Sequence, residues 1–394
     1  MQPEKFCKAP FKTAVIDTDG ALLPCCEFMA HKSKLAPYKL NAKNTKMFKD
    51  WWENGLDPLR EKMLNGEIDP GCEHCISKEK NPNIQSLRKH INQKIAEPYE
   101  QIKDNYKKDD KEREYPKYIE LRLGNYCNLK CIMCGPYASS SILAEYKMHK
   151  KEYSDFGQNV TSWEDPNMPK DWYTYDHNKK IMLDVVANAR EIYFGGGEPF
   201  MSPVLIDILK TIDSNVFMTF NTNMTRLTDT IIDILKRFKK INIESSIDGV
   251  GEHNNYLRNG SKWDVICSNI KKLKALNNIN FEITYLLQHT SLYTMKNVIE
   301  FVNEMDLEIK FNEVYHGSVD GSGHLTINSA SINDINNFKT WFNSCSFKQK
   351  NTVQTWLDSY KPNANLHNRF KEYVNMLDSI RGTNFVKTFD PSWT

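Results

Sequence analysis

From Tyr118 onward the chain alternates short apolar–polar stretches with helical patterns. A period of two predicts strands over Tyr118–Leu123, Glu191–Phe194, Val216–Asn221, Ile241–Ser246, Phe281–Leu287 and Glu308–Val314. Apolar residues spaced three and four apart predict helices over Val204–Asp213, Leu227–Phe238, Trp263–Leu276 and Thr294–Met305. Strand–helix units repeating at this spacing build a parallel sheet with right-handed crossovers. Six units fall short of a closed eight-stranded barrel. The predicted fold class is therefore α/β, an open partial (β/α)6 barrel.

Parallel strands covered on both faces read as continuous apolar runs. These strands alternate instead. One face carries Glu120, Arg122, Thr219, Asn221, Asn242, Glu244, Ser246, Glu282, Thr284, Lys310 and Asn312. The other carries Ile119, Leu121, Ile241, Ile243, Phe281, Ile283, Ile309 and Phe311. With helices on the apolar face, the polar face lines a wet lumen, which is a binding cavity rather than a packed core. A sheet with one face open to solvent would give the same pattern.

Outside the barrel the texture differs. Residues 1–80 combine turn residues, two short helices and clustered cysteines. A helix with Ile84, Leu87, Ile91 and Ile95 on one side leaves this unit and ends near Pro98. The mixed charges from Lys107 to Glu114 read as a solvated linker. Beyond Asn328 the pattern is helical, with Phe338, Trp341, Phe342, Phe370, Tyr373, Val374 and Leu377 as its apolar positions. The expected domains are 1–80, cysteine-rich; 81–116, helix and charged linker; 117–320, partial barrel; and 321–394, helical C-terminal region.

Composition narrows the classes. The 394 residues suffice for two or three domains, and 40% hydrophobic with 11% aromatic content indicates a folded chain. A formal charge of +2 argues against a nucleic-acid groove. Met1–Cys7 lacks the apolar core of a signal peptide, and no apolar run is long enough to span a bilayer. A soluble, cytoplasmic protein without a membrane partner is expected.

In a reducing compartment ten cysteines call for metal or cluster ligation rather than disulfides. Eight bunch at short spacings: Cys7, Cys25, Cys26, Cys72, Cys75, Cys127, Cys131 and Cys134. Cys267 falls in a helical pattern with Trp263, Ile266, Ile270 and Leu273 and is expected to be a small core residue. Cys345 is assigned no role.

The first predicted barrel strand runs into Cys127-Asn128-Leu129-Lys130-Cys131-Ile132-Met133-Cys134. Thiolates are the usual ligands of iron–sulfur clusters and of zinc. Three of them leave one iron of a cubane open to a small molecule, whereas structural zinc asks for a fourth ligand nearby. Gly135-Pro136-Tyr137 offers none. The second strand ends in Gly195-Gly196-Gly197-Glu198-Pro199, where glycines allow close backbone approach to a ligand and a carboxylate suits an ammonium group.

Together these residues resemble the radical S-adenosylmethionine (SAM) superfamily. The resemblance rests on the C-x3-C-x2-C spacing of Cys127, Cys131 and Cys134, on Gly196-Gly197-Glu198-Pro199, and on Ser245-Ser246-Ile247-Asp248-Gly249 followed by Tyr256-Leu257-Arg258. It covers about Tyr118 to His316. It implies a 4Fe-4S cluster on Cys127, Cys131 and Cys134 whose open iron binds SAM, and reductive cleavage of SAM to a 5′-deoxyadenosyl radical that abstracts hydrogen from substrate. Carried over residue by residue, Gly196, Gly197 and Glu198 face the methionine ammonium of SAM. Asn223, Ser246 and Arg258 are candidates for its ribose or carboxylate. Many members have an aromatic residue before the last cysteine, where this chain has Met133.

The N-terminal cysteines, with Gly20-x4-Cys25 followed by Cys72-x2-Cys75, resemble the auxiliary-cluster domains called SPASM and twitch, which usually follow the core rather than precede it. The expected ligands of a second 4Fe-4S cluster are Cys7, Cys25, Cys72 and Cys75, with Cys26 a spare or a substitute for Cys25. His74 is expected to face outward. A zinc site on the same cysteines satisfies the spacing as well. The expected function is a radical SAM enzyme, an oxidoreductase acting on a peptide or amino-acid-like substrate and served by a flavodoxin- or ferredoxin-type reductant. The alternatives are the same chemistry on a sugar, nucleoside or amine, and a non-catalytic zinc-binding interaction module. No residue is assigned as catalytic. Glu313, Tyr315 and His316 stand near the expected cavity mouth. Trp163, Trp172, Tyr173 and Tyr175, between Ser139 and Asp184, suit either a cover over the site or plain packing.

Overall fold

The strands form where the alternation places them. The computed structural model describes residues 2–40, 46–80, 85–107, 114–156, 171–314 and 323–392. Its strands are β1 (Thr13–Ile16), β2 (Leu22–Leu23), β3 (Tyr118–Arg122), β4 (Lys130–Cys131), β5 (Glu191–Gly195), β6 (Phe217–Thr222), β7 (Ile241–Ser246), β8 (Arg258–Asn259), β9 (Ile279–Leu287) and β10 (Glu308–Glu313). β3, β5, β6, β7, β9 and β10 match the six predicted strands to within two residues at either end. Helices Leu205–Thr211, Asp229–Leu235, Trp263–Lys274 and Ser291–Glu304 alternate with them. The fold is thus the α/β class read from the sequence.

The chain divides into two compact units. The first holds residues 1–125, 166–219 and 237–240, and the second holds 126–165, 220–236 and 241–394. β6 gives its first three residues to the first unit and its last three to the second.

In the first unit the strand order is β6–β5–β3–β1–β2. β5, β3 and β1 are parallel, with Tyr118 opposite both Glu191 and Thr13, while β2 returns antiparallel with Ile16 opposite Leu22. β1 did not announce itself, because Thr13-Ala14-Val15-Ile16 is too short to show a period. Its pairing joins the N-terminal residues to β3 in one unit. Ile119, Leu121, Ile192 and Phe194 are buried, while Glu120 and Arg122 on the opposite face are half-buried. Trp172 and Tyr173 belong to this unit's packing. Trp172 is fully buried and its Nε1 donates to the Thr18 carbonyl at 3.0 Å, while Tyr173 covers Gly124. Trp163 lies outside the described residues.

In the second unit the order is β10–β9–β7–β6, with β7, β9 and β10 parallel. Ile243, Ile283, Tyr285 and Ile309 are buried on one face, where Tyr285 Oη meets Thr294 Oγ1 of the helix Ser291–Glu304 at 2.8 Å. The C-terminal region is helical as expected, over Ile332–Ser344, Lys350–Asp358, Ala364–Arg381 and Phe385–Phe389. Phe338, Phe342, Phe370, Tyr373, Val374 and Leu377 are buried. Cys267 departs from expectation: Ile266, Ile270 and Leu273 form the buried stripe of its helix, and Cys267 beside them is half-buried. Among the described residues no helix is long and apolar enough to cross a membrane.

Candidate active site

The three-cysteine loop lies in the second unit and is held from several sides. β4 and β8 form a short antiparallel ladder that sets Cys131 opposite Arg258, and Ile132 N donates to the Leu257 carbonyl at 2.9 Å. Leu129 and Ile132 are buried anchors. Ser139 Oγ donates to the Leu129 carbonyl at 2.6 Å, and Ser141 Oγ to the Cys127 carbonyl at 2.8 Å. Gly260 has φ +97°, and a Cβ there would stand 3.0 Å from the Asn128 carbonyl oxygen, so only glycine lets the two chains approach.

Polar side chains point at the sulfurs. Asn223 Nδ2 lies 3.7 Å from Cys127 Sγ, and Arg258 Nη1 lies 3.8 Å from Cys131 Sγ. Arg258 is oriented by Asp248, whose Oδ2 is 2.7 Å from Nη2 and whose Oδ1 accepts from Leu286 N at 2.9 Å. A hydrogen bond from the Cys134 thiol, helped by the Arg258 charge, lowers Cys131 against its burial and holds Cys134 up. Donors aimed at buried sulfur are what thiolate ligands require, and such contacts tune the bound group. Asn223 is fully engaged here: its Oδ1 also accepts from Thr225 N at 2.9 Å and from Thr225 Oγ1 at 2.6 Å. Ser246 Oγ, at the end of β7, donates to Asn221 Oδ1 at 3.0 Å. Met133 is buried.

A second set of contacts holds the loop from behind. Tyr373 Oη, on the helix Ala364–Arg381, donates to the Ile132 carbonyl at 2.7 Å. Glu145 is buried and receives Arg381 Nη2 at 2.7 Å, Lys130 Nζ at 2.6 Å and Tyr153 Oη at 2.5 Å.

The glycine segment lies in the first unit. Gly197 N donates to the Gly124 carbonyl at 3.1 Å. Gly196 has φ +98°, and a Cβ there would meet Arg122 Cβ at 3.0 Å and the Gly124 carbonyl at 3.1 Å. Glu198 is buried, and its Oε1 accepts from Phe200 N at 3.1 Å, capping the turn Pro199–Met201.

The same unit brings Cys7, Cys25, Cys72 and Cys75 to one cavity, whose walls include Phe28 and Arg88. Cys26 is absent from that lining; it is exposed and its thiol meets Glu120. Burial, reinforced by the neighbouring thiols, pushes Cys7 and Cys72 up to about 12, and burial pushes Cys75 up to about 11. Crowded out of water, the four thiols are held in their neutral form. Arg88 on the wall suits the net negative charge of a thiolate-ligated cluster. Among the described residues no group of three or more cysteine, histidine or carboxylate side chains is already gathered as a metal site. His74 does not line the cavity; its Nε2 is 3.7 Å from Glu27 Oε2. Glu313 is exposed at the end of β10, and Tyr315 and His316 lie outside the described residues.

The fold is a partial α/β barrel that carries a braced loop of three cysteines. Residues 121–302 match the radical SAM superfamily. Over 132 residues, 32% of this chain, it is 30% identical to the tungsten-containing aldehyde ferredoxin oxidoreductase cofactor-modifying protein of Pyrococcus furiosus, of which it spans 29%. Among solved structures, SuiB of Streptococcus suis bound to the precursor peptide SuiA is similar at 14% identity and TM-score 0.39, covering 79% of this chain and 67% of that one. The Escherichia coli coproporphyrinogen III oxidase HemN, a radical SAM enzyme, is similar at 11% identity and TM-score 0.33, covering 50% of this chain and 44% of that one.

Sequence reasoning missed the residues that act on the cysteine loop from a distance. Asp248 stood inside the Ser245–Gly249 segment and its acidity beside Arg258 was a usable signal. Tyr373, Glu145 and Arg381 gave none, since they are 241 and 236 residues from their partners along the chain.

Proposed function

We propose that the chain binds a 4Fe-4S cluster through Cys127, Cys131 and Cys134 and, with SAM, abstracts hydrogen from a polar substrate of peptide or amino-acid type. The observation that carries this reading is the braced loop itself: Cys127 and Cys131 buried and Cys134 half-buried inside the segment that matches the superfamily, with Asn223 directed at the sulfur of Cys127 and Arg258 at that of Cys131. When bound, the cluster and SAM supply reductive cleavage of a carbon–sulfur bond, giving methionine and a 5′-deoxyadenosyl radical. The protein's part is to hold and shield. Asn223 and Arg258 stabilise thiolate charge, Asp248 orients Arg258, and Leu129 and Ile132 keep water from the loop. Gly196 and Gly197 offer backbone at close range for the amino-acid end of SAM, with Glu198 placed by the turn it caps. Ser246, two residues beyond Glu244 on the polar face of β7, serves the ribose.

Cys7, Cys25, Cys72 and Cys75 hold a second cluster in this reading, saturated by four thiolates and therefore suited to electron relay rather than substrate binding. A flavodoxin- or ferredoxin-type protein supplies the electron. The polar strand faces suit a substrate with many hydrogen-bonding groups.

The test uses anaerobically reconstituted protein. Iron and sulfide per chain are measured together with 5′-deoxyadenosine formed from SAM and dithionite, in wild type and in Cys127→Ala/Cys131→Ala/Cys134→Ala. About eight irons, with cleavage abolished in the triple variant, are expected. About four irons with cleavage intact would leave the core reading and remove the second cluster. Zinc without iron and no deoxyadenosine would refute the enzyme reading.

A further inference from the structure

The polar face of the second unit carries an unusual row. Across three parallel strands, Glu244 of β7 stands opposite Glu282 of β9, and Glu282 stands opposite Glu308 of β10. Like charges directly opposite one another destabilise a sheet, so each carboxylate needs an explanation. Glu308 is largely exposed and pairs with Lys348 Nζ at 2.5 Å. Glu244 is 6% exposed and pairs with Lys310 Nζ at 3.1 Å. Glu282, between them, makes no hydrogen bond or ion pair among the described residues; Lys310 and Lys348 act on it only through their charge, and that does not offset its burial. Three carboxylates thus face two ammonium groups, and the carboxylate left over is the half-buried one in the middle.

A second observation is independent of charge. The next row up reads Ser246, Thr284 and Lys310. Thr284 is 8% exposed, and its Oγ1 finds no hydrogen-bond partner among the described residues. Thr284 is two residues from Glu282 on the same strand, so both side chains project from one face. That face is opposite the one where Tyr285 meets the helix Ser291–Glu304. A buried hydroxyl left unpaired is costly, and a ligand that donates to it removes that cost.

We propose that Glu282, with Glu244 and Thr284, forms a subsite for a cationic group, an ammonium or guanidinium, on the molecule the radical acts upon; this deepens the function proposed above and rests on it. The cation supplies the missing counter-charge to Glu282 and a donor to Thr284 Oγ1, with the Glu244–Lys310 pair setting the opposite wall. Thr284 stands opposite Ser246, and the Glu244–Glu282 row lies two residues, about 7 Å, from it along the strands. A substrate anchored there by a basic side chain therefore extends toward the layer assigned to SAM.

The probes are acetyl-Gly-Lys-Gly-amide and its norleucine counterpart, which share shape but not charge. Binding is measured by calorimetry on the full, anaerobically reconstituted protein with SAM present, and deoxyadenosine formation is followed in parallel. The lysine probe is expected to bind roughly tenfold or more tightly than the norleucine probe. Glu282→Gln, at a half-buried site, should abolish that preference. Lys310→Met should act in the opposite direction and strengthen lysine-probe binding several-fold, because it removes a competing ammonium from beside Glu244. Equal binding of the two probes, or a preference that survives Glu282→Gln, overturns the subsite. A lysine preference without any deoxyadenosine formation upholds the cation site and refutes the radical reading instead.

Discussion

Replacing Arg381 with methionine tests how the C-terminal helix supports the cysteine loop. Arg381 and Glu145 are each 3% exposed, and the guanidinium reaches Glu145 Oε1 through Nη2 at 2.7 Å and Nε at 3.0 Å. Burial alone would raise the Glu145 carboxyl. The Arg381 hydrogen bonds and charge, with Lys130 and Tyr153, outweigh burial and hold it down to about 2. Against an ordinary glutamate that corresponds to about 3 kcal/mol, in line with the roughly 3–5 kcal/mol lost when one partner of a buried pair is removed. Lys130 and Tyr153 remain in Arg381→Met, so a loss of about 2–3 kcal/mol at pH 7 is expected. The sign with pH follows from the lowered carboxyl. The stability is fully present above the unfolded value near 4.3 and is lost as pH falls through about 2. The wild type and the variant should therefore converge in acid. Urea unfolding of the cluster-free protein, followed by tryptophan fluorescence at stepped pH, reads the difference. Glu145→Gln and the double variant complete a cycle in which the two single losses fail to add. A loss under about 0.5 kcal/mol at pH 7, a loss unchanged toward pH 2, or strict additivity would refute the argument.

Three further outcomes are expected. Gly196→Ala forces a side chain into φ +98° with contacts of 3.0 and 3.1 Å to Arg122 and Gly124, so it should cost about 2 kcal/mol or more in thermal unfolding and abolish deoxyadenosine formation. Serine at Cys7, Cys25, Cys72 or Cys75 should each lower iron content by up to about four per chain, while Cys26→Ser, outside the cavity, should leave iron content unchanged. Asp248→Asn leaves the Arg258 guanidinium without its 2.7 Å carboxylate partner, so unfolding stability should fall by about 3 kcal/mol and the cluster's reduction potential should move.

Much of the fold was legible because its signals are local. Alternation in Ile241–Ser246 and helical spacing in Trp263–Lys274 depend on residues a few positions apart, and both elements form where those patterns put them. The cysteine loop was legible as a candidate ligand set for the same reason: Cys127, Cys131 and Cys134 lie within eight residues, so their proximity can be read without knowing the fold. β1 was not legible, since a four-residue strand acquires its identity only from the partner it pairs with, here β3 more than a hundred residues away.

The sequence by itself therefore determined the order of the six main parallel strands with the helices between them, the barrel class and the close spacing of three cysteines. It also supplied the polar alternation of the strands, because each of these is written in neighbouring residues. The tertiary structure alone decided which of Cys25 and Cys26 enters the four-cysteine cavity, since adjacent residues point different ways once the backbone is set. It alone turned Asn223 and Arg258 toward the sulfurs, set Tyr373 and Glu145 behind the loop, and aligned Glu244, Glu282 and Glu308 in one row. Register and long-range contact depend on how distant segments pack, and no local pattern encodes that.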